Sequence, residues 1–193
     1  NAGINATSQL NAIKKFIELK EIKRTIFLTP DVSFKNEIQK AISNSKIKIL
    51  KNYIYDNDPT KLTNQIEVIT HYEIRKQNLE DEITRLEKSD QNNKEKLIER
   101  LKKRDTLGGV NFDAVVISDF DESLKSVTTS LLYTDVSPKE KYFITLNQWF
   151  DESLLKEKSS QPIYFPSANK SNYDDFSSEY FEKYNQYPNQ LSF

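Results

Sequence analysis

The sequence contains no cysteine, no methionine and a single histidine, His71, in 193 residues. Without cysteine there is no disulfide, no thiolate zinc site and no thiol nucleophile, and His71 has no histidine partner for a metal site or a triad. Glycine is nearly as scarce, with Gly3, Gly108 and Gly109 only, against the usual ~7%. Neither a dinucleotide-binding fingerprint nor a P-loop can be written from three such positions. These absences exclude most hydrolase sites and nucleotide binding through glycine loops. No run approaches the apolar length of a membrane-spanning helix, and no signal peptide is expected within these residues. The 28 basic and 29 acidic side chains leave a net charge of -1, so there is no basic footprint for nucleic acid or an anionic membrane. Lack of methionine leaves no natural start, and Asn1-Ala2 is expected to be the remnant of a cloning tag on a piece cut from a longer protein.

What is present centres on Phe112 to Asp121, Phe-Asp-Ala-Val-Val-Ile-Ser-Asp-Phe-Asp. Its β-branched apolar run suits a strand buried on both faces of a parallel sheet. The following Ser118-Asp119-Phe120-Asp121-Glu122-Ser123 offers short polar side chains to cap a helix expected from Ser123 to Leu132.

Upstream, Leu10, Ile13, Phe16 and Ile17 recur at helical spacing, predicting a helix from Ala6 to Leu19 with Thr7 or Ser8 as its cap. Thr25 to Leu28 reads as a strand closed by Thr29-Pro30-Asp31, Phe34 to Ile42 as a helix, and Ile47 to Tyr55 as a second strand. That is the βαβ rhythm of a parallel sheet. From Thr60 to Asp105 the rhythm breaks. Leu62, Ile66, Ile69, Leu79, Ile83 and Leu86 mark a long helix interrupted near Tyr72 to Lys76, and Leu97, Ile98 and Leu101 a second one. The stretch reads as a helical hairpin insertion, residues 60–107, whose charged flanks form a solvated face or a partner-binding arm. Gly108-Gly109 then turns the chain back. Further strands are expected at Lys141 to Leu146 and Ile163 to Phe165, and an aromatic-rich helix from Tyr173 to Tyr184 before Pro188. The end at Leu191-Ser192-Phe193 reads as truncated within an element. The fold class is therefore α/β: a single three-layer α/β/α Rossmann-like lobe with a mostly parallel sheet of about five strands.

In open α/β sheets ligands bind where strands end and helices begin. That rule gathers Thr7 and Ser8, Asp31 and Phe34, Asp119, Asp121 and Ser123, and Gln148 to Phe150 with Trp149. Helix N-termini there offer N–H groups to a carboxylate, Trp149 or Phe34 an apolar surface, and Asp119 or Asp121 a partner for an amino group. The same aspartates and Ser123 would equally serve as caps, and Trp149 as core or lobe interface. Asp119-Phe120-Asp121-Glu122 could also ligate Mg²⁺ for phosphoryl transfer, although no lysine-bearing glycine loop accompanies it.

The order of elements, the Phe112-Asp-Ala-Val-Val-Ile strand, and the closing Phe176-Ser-Ser-Glu-Tyr-Phe-Glu-Lys-Tyr-Asn-Gln-Tyr-Pro188 resemble the second lobe of type I periplasmic binding proteins. In that family a helix with spaced Phe and Tyr leads into a Tyr-Gly-x-x-Pro-like turn; here Gln186-Tyr187-Pro188 stands there. The charged insertion ending Asp105-Thr106-Leu107-Gly108-Gly109 looks closer to the penicillin-binding protein activator lipoproteins, a branch of the same fold. Solute receptors of the family carry Tyr-Gly after the first strand of this lobe, where this chain has Phe34-Lys35. The resemblance implies a non-enzymatic periplasmic binding domain without metal or cofactor. It also implies that a missing N-terminal lobe belongs to the same protein and that a lipid anchor is possible upstream. Its partner would be a cell-wall synthase regulated through surface contact, or alternatively a small polar solute such as an amino acid delivered to an ABC transporter.

Overall fold

The computed structural model describes residues 5–146, 156–167 and 170–187. Among these residues five strands, β1 (Thr25–Pro30), β2 (Lys51–Tyr55), β3 (Ala114–Ile117), β4 (Tyr142–Thr145) and β5 (Ile163–Tyr164), form one sheet in the order β2-β1-β3-β4-β5. Every neighbouring pair is parallel, with Ile26 beside Val115 and Val115 beside Phe143. The α/β architecture expected from the sequence is the one observed.

Period-two alternation divides the core into two layers. Ile26, Leu28, Val115, Ile117 and Phe143 face one side, where α3 (Pro59–Thr70) and α6 (Asp121–Tyr133) cover them with Leu62, Ile66, Leu124 and Val127. Phe27, Ala114, Val116 and Ile144 face the other, under α1 (Ala6–Leu19) and α2 (Lys35–Ser45) with Leu10, Ile13, Ile38 and Ala41. All four residues of β3 are buried, as its unbroken apolar run requires of a strand covered on both faces. Each large apolar side chain taken out of water there contributes roughly 1.5–3 kcal/mol.

Several boundaries differ from the sequence reading. The cap of α1 is Asn5, whose Oδ1 accepts the Ser8 N–H at 2.9 Å; Thr7 and Ser8 lie inside the first turn. Strand β1 runs on through Thr29 and Pro30, because proline at a strand's last position forfeits one donor and Asp31 N–H resumes the ladder to Tyr55 at 2.8 Å. Helix α6 starts at Asp121, with Phe120 as an N-cap that makes no side-chain bond.

The stretch from Thr60 to Asp105 divides at His71, an exposed residue at φ 53 that ends α3 and begins α4 (Tyr72–Glu87). Asp58 caps α3 through the Thr60 N–H at 2.9 Å, with Pro59 at its first position. Because α3 packs on α6 within the core, only α4 and α5 (Lys94–Leu101) pair as a hairpin beside the sheet. Apolar spacing gives a helix its stripe but does not say what covers it, and so α3 and α4 read alike in the sequence. Arg75, 4% exposed, ties the hairpin down: it donates to the Thr70 and Thr134 carbonyls and, at 3.2 Å, to Thr106 Oγ1. Gly108 follows at φ 94, a backbone conformation that L side chains adopt at a cost. The last helix, α7, spans Lys170–Tyr184, three residues longer at its start than its aromatic spacing marks.

Candidate functional site

The order β2-β1-β3-β4-β5 means that the chain leaves β1 toward one side and returns to β3 on the other. The carboxyl ends of β1 and β3 are therefore the switch point, where loops part and leave a crevice. Two phenylalanines stand there, one from each strand end. Phe34, at the start of α2, meets Phe120 edge to face with centroids 5.8 Å apart and planes at 73°. Both rings are half-buried at the rim of the layer under α1 and α2, as is Ala6 in the first turn of α1.

Directly after β3, alternation sends Ser118 to the α1/α2 side and Asp119 to the other. Ser118 is fully buried, and its Oγ is the one buried side-chain polar atom without a hydrogen-bond partner among the described residues. Burying a hydroxyl unpaired costs ~1–3 kcal/mol, and one at a crevice is a candidate ligand contact. Asp119, 5% exposed, turns inward instead. Its Oδ2 accepts from Tyr55 Oη and, at 2.6 Å, from Ser123 Oγ, while Oδ1 accepts the Phe120 N–H at 2.8 Å. Burial, and then the neighbouring Asp119 charge, push the Tyr55 phenol well above the ordinary tyrosine range, so it stays a donor. The three side chains bind the ends of β2 and β3 to the first turn of α6. Phe120, the N-cap of that helix, makes no side-chain capping bond.

The remaining candidates scatter. Asp31 is exposed and pairs with Lys35, the first residue of α2. Asp121 is exposed at φ 52, and Glu122 meets Lys125 at 2.6 Å. The carboxylates of Asp119, Asp121 and Glu122 thus do not converge, and the described residues hold no cluster of three or more metal-ligating side chains. Thr7 is half-buried and Ser8 exposed at the start of α1. Trp149, with Gln148 and Phe150, lies outside the described residues. A depression of about 510 Å³ opens at the amino ends of β3 and β4, away from this crevice, lined by Arg75, Asp105, Asp135 and Lys141 among others. Arg75 donates there to two backbone carbonyls and to Thr106, and Asp135 accepts from Thr106 at 2.5 Å.

The sequence reading placed its candidates at these strand ends and named Phe34, but it named neither Tyr55 nor Ser118 as a site residue and took Phe120 only as part of the stretch from Asp119 to Ser123. The signal for Tyr55 was available: as the last residue before Asp56-Asn57-Asp58-Pro59, it had to stand at a strand's carboxyl end.

A five-stranded parallel sheet of this order, flanked on both faces and open at the β1/β3 crevice, is the fold of a type I periplasmic binding protein lobe. The chain is similar to the leucine-, isoleucine-, valine-, threonine- and alanine-binding protein of Brucella ovis, with 11% identity and a TM-score of 0.55 over 96% of this chain and 40% of that one. It is similar also to a branched-chain amino acid ABC transporter periplasmic ligand-binding protein of Burkholderia xenovorans, at 8% identity and TM-score 0.53 over 97% and 42%. A third is an extracellular ligand-binding receptor of Verminephrobacter eiseniae, at 12% identity and TM-score 0.51 over 97% and 47%. The chain spans less than half the length of each. No protein-family model and no curated protein matches the sequence. Among the described residues no helix is long and apolar enough to cross a membrane.

Proposed function

We propose that this chain is one lobe of a two-lobed periplasmic solute receptor, and that its β1/β3 crevice forms one wall of a cleft that closes on a small amino acid. The single observation that carries the reading is the buried, unpartnered Ser118 hydroxyl, directly after β3 and just ahead of Phe120, which meets Phe34 and begins α6 without a side-chain capping bond. Hydroxyl and N–H groups would receive the ligand carboxylate, and the two rings its apolar side chain. Asp119, engaged by Tyr55 and Ser123, holds the wall in shape, leaving exposed Asp121 as the carboxylate for the ligand's amino group. The names of two similar proteins, a leucine-, isoleucine-, valine-, threonine- and alanine-binding protein and a branched-chain amino acid ABC transporter periplasmic ligand-binding protein, support an amino acid as the ligand. A second lobe, periplasmic location and a lipid anchor upstream belong to this proposal.

One feature supports regulation of a cell-wall synthase as a second reading: the α4–α5 hairpin presents a charged, solvent-facing surface, and α5 has no buried residue. Thermal denaturation of the full-length polypeptide against single amino acids and peptidoglycan fragments separates the two. A ligand at a hundred times its Kd adds about 2.7 kcal/mol. The receptor reading expects such a rise with an aliphatic amino acid, lost in Ser118→Ala and Phe34→Ala. A flat response to every small molecule sinks it.

A further inference from the structure

Helices α4 and α5 cross so that a groove of about 430 Å³ opens between them, floored by Leu86, Leu97 and Leu101. Leu86 is buried beneath α5, but Leu97, Ile98 and Leu101 remain half-exposed. The apolar stripe of α5 is therefore only partly covered by the helix it rests on.

The rim of this groove is cationic. Its one carboxylate, Glu82, is held by Arg85 through two contacts of 2.7 Å each. Arg100 and Arg104 also line the groove, both are exposed, and neither forms an ion pair with the described residues. Lys102 and Lys103 stand between them in sequence, so four of the five positions from Arg100 to Arg104 are basic and the fifth is Leu101. The C-terminal dipole of α5 offsets only about half a charge. A chain of net charge -1 thus concentrates unpaired guanidinium groups beside leucines that are incompletely covered.

We propose that the α4–α5 groove docks an acidic amphipathic segment of a partner protein. Apolar side chains of that segment cover Leu97 and Leu101, and its carboxylates meet Arg100 and Arg104. Two features select this occupant. The leucines lie in a concavity, which accepts a chain segment with spaced anchors, whereas a bilayer is met by a convex apolar face. The guanidinium forks left without carboxylates are the groups that pair them bidentately. The proposal does not depend on solute binding, because the groove lies on the hairpin and not at the β1/β3 crevice.

The probe is a labelled synthetic peptide with leucines at helical i, i+3 and i+4 spacing and glutamates between them, followed by fluorescence anisotropy. The same peptide with lysine for glutamate, and phosphatidylglycerol vesicles, serve as alternatives. Binding of the acidic peptide is expected in the micromolar range, weakening about tenfold in the R100E/R104E variant and falling with added salt. Both positions are exposed, and far-ultraviolet circular dichroism reports whether that variant remains folded. A variant that loses structure is replaced by R100Q/R104Q, for which a smaller loss in the same direction is expected. The proposal is overturned by equal binding of acidic and basic peptides, by no binding at ~100 μM, or by an affinity that the charge reversal leaves unchanged. It is also overturned if vesicles bind and the peptide does not, which would assign the face to a lipid surface. In every case the amino-acid response of the R100E/R104E variant tests the crevice separately.

Discussion

Replacing Tyr55 by phenylalanine removes one oxygen and almost no volume, so no cavity cost enters. The lost bond is a buried one from a neutral donor to the carboxylate of Asp119, and hydrogen bonds to charged groups contribute about 1.5–3 kcal/mol. Asp119 keeps Ser123 Oγ at 2.6 Å and the Phe120 N–H at 2.8 Å. The remaining bonds cushion the loss, and the expected cost is about 2 kcal/mol. For a domain of this size that is a fall in Tm of about 4–8 °C. Urea unfolding of wild type and Tyr55→Phe, with Tyr53→Phe as a half-buried control, measures the cost directly. Because Tyr55 and Ser123 share Oδ2, a double-mutant cycle with Ser123→Ala should show coupling, the second deletion costing more once the first is made. A Tm within 1 °C of wild type, or strictly additive deletions, would refute the idea that this network holds β2, β3 and α6 together.

Two further outcomes follow from the ties at the amino end of the sheet. Arg24 bonds Asp113 through Nη2 at 2.7 Å, Nε at 3.2 Å and its backbone N–H at 3.1 Å, which holds the Asp113 carboxyl below the usual carboxylate range. A depressed native value means that this contribution is complete above the unfolded pKa near ~3.9 and disappears as pH falls through the native one. Asp113→Asn should therefore lose less stability than wild type between pH 5 and pH 2 in urea titrations, and parallel curves would contradict this. Arg75→Ala leaves the Thr70 and Thr134 carbonyls without their donor and should cost about 3 kcal/mol. Hydrogen exchange should then rise first in α4 and α5, and uniform loss across the sheet would count against a local anchor.

Much of the architecture is legible in the chain itself, because the signals are local. The period of Leu10, Ile13 and Ile17 gives α1 its observed limits, and the β-branched run Val115-Val116-Ile117 can be satisfied only by burial on both faces. The strand-to-helix alternation predicts a parallel sheet, and with it the strand-end crevice and Phe34. What only tertiary structure decided depends on partners distant in sequence. Asp119 reads as a cap or a ligand carboxylate until Tyr55, 64 positions away, is seen to claim it. Phe120 finds Phe34 only once β1 and β3 are neighbours. Ser118 is polar and ordinary in the sequence, and its burial without a partner emerges only in the folded chain. The helical stripes of α3 and α4 are alike in spacing, yet α3 meets α6 in the core while α4 carries α5 outside it. Periodicity fixes which face of an element is apolar; long-range packing chooses what that face meets.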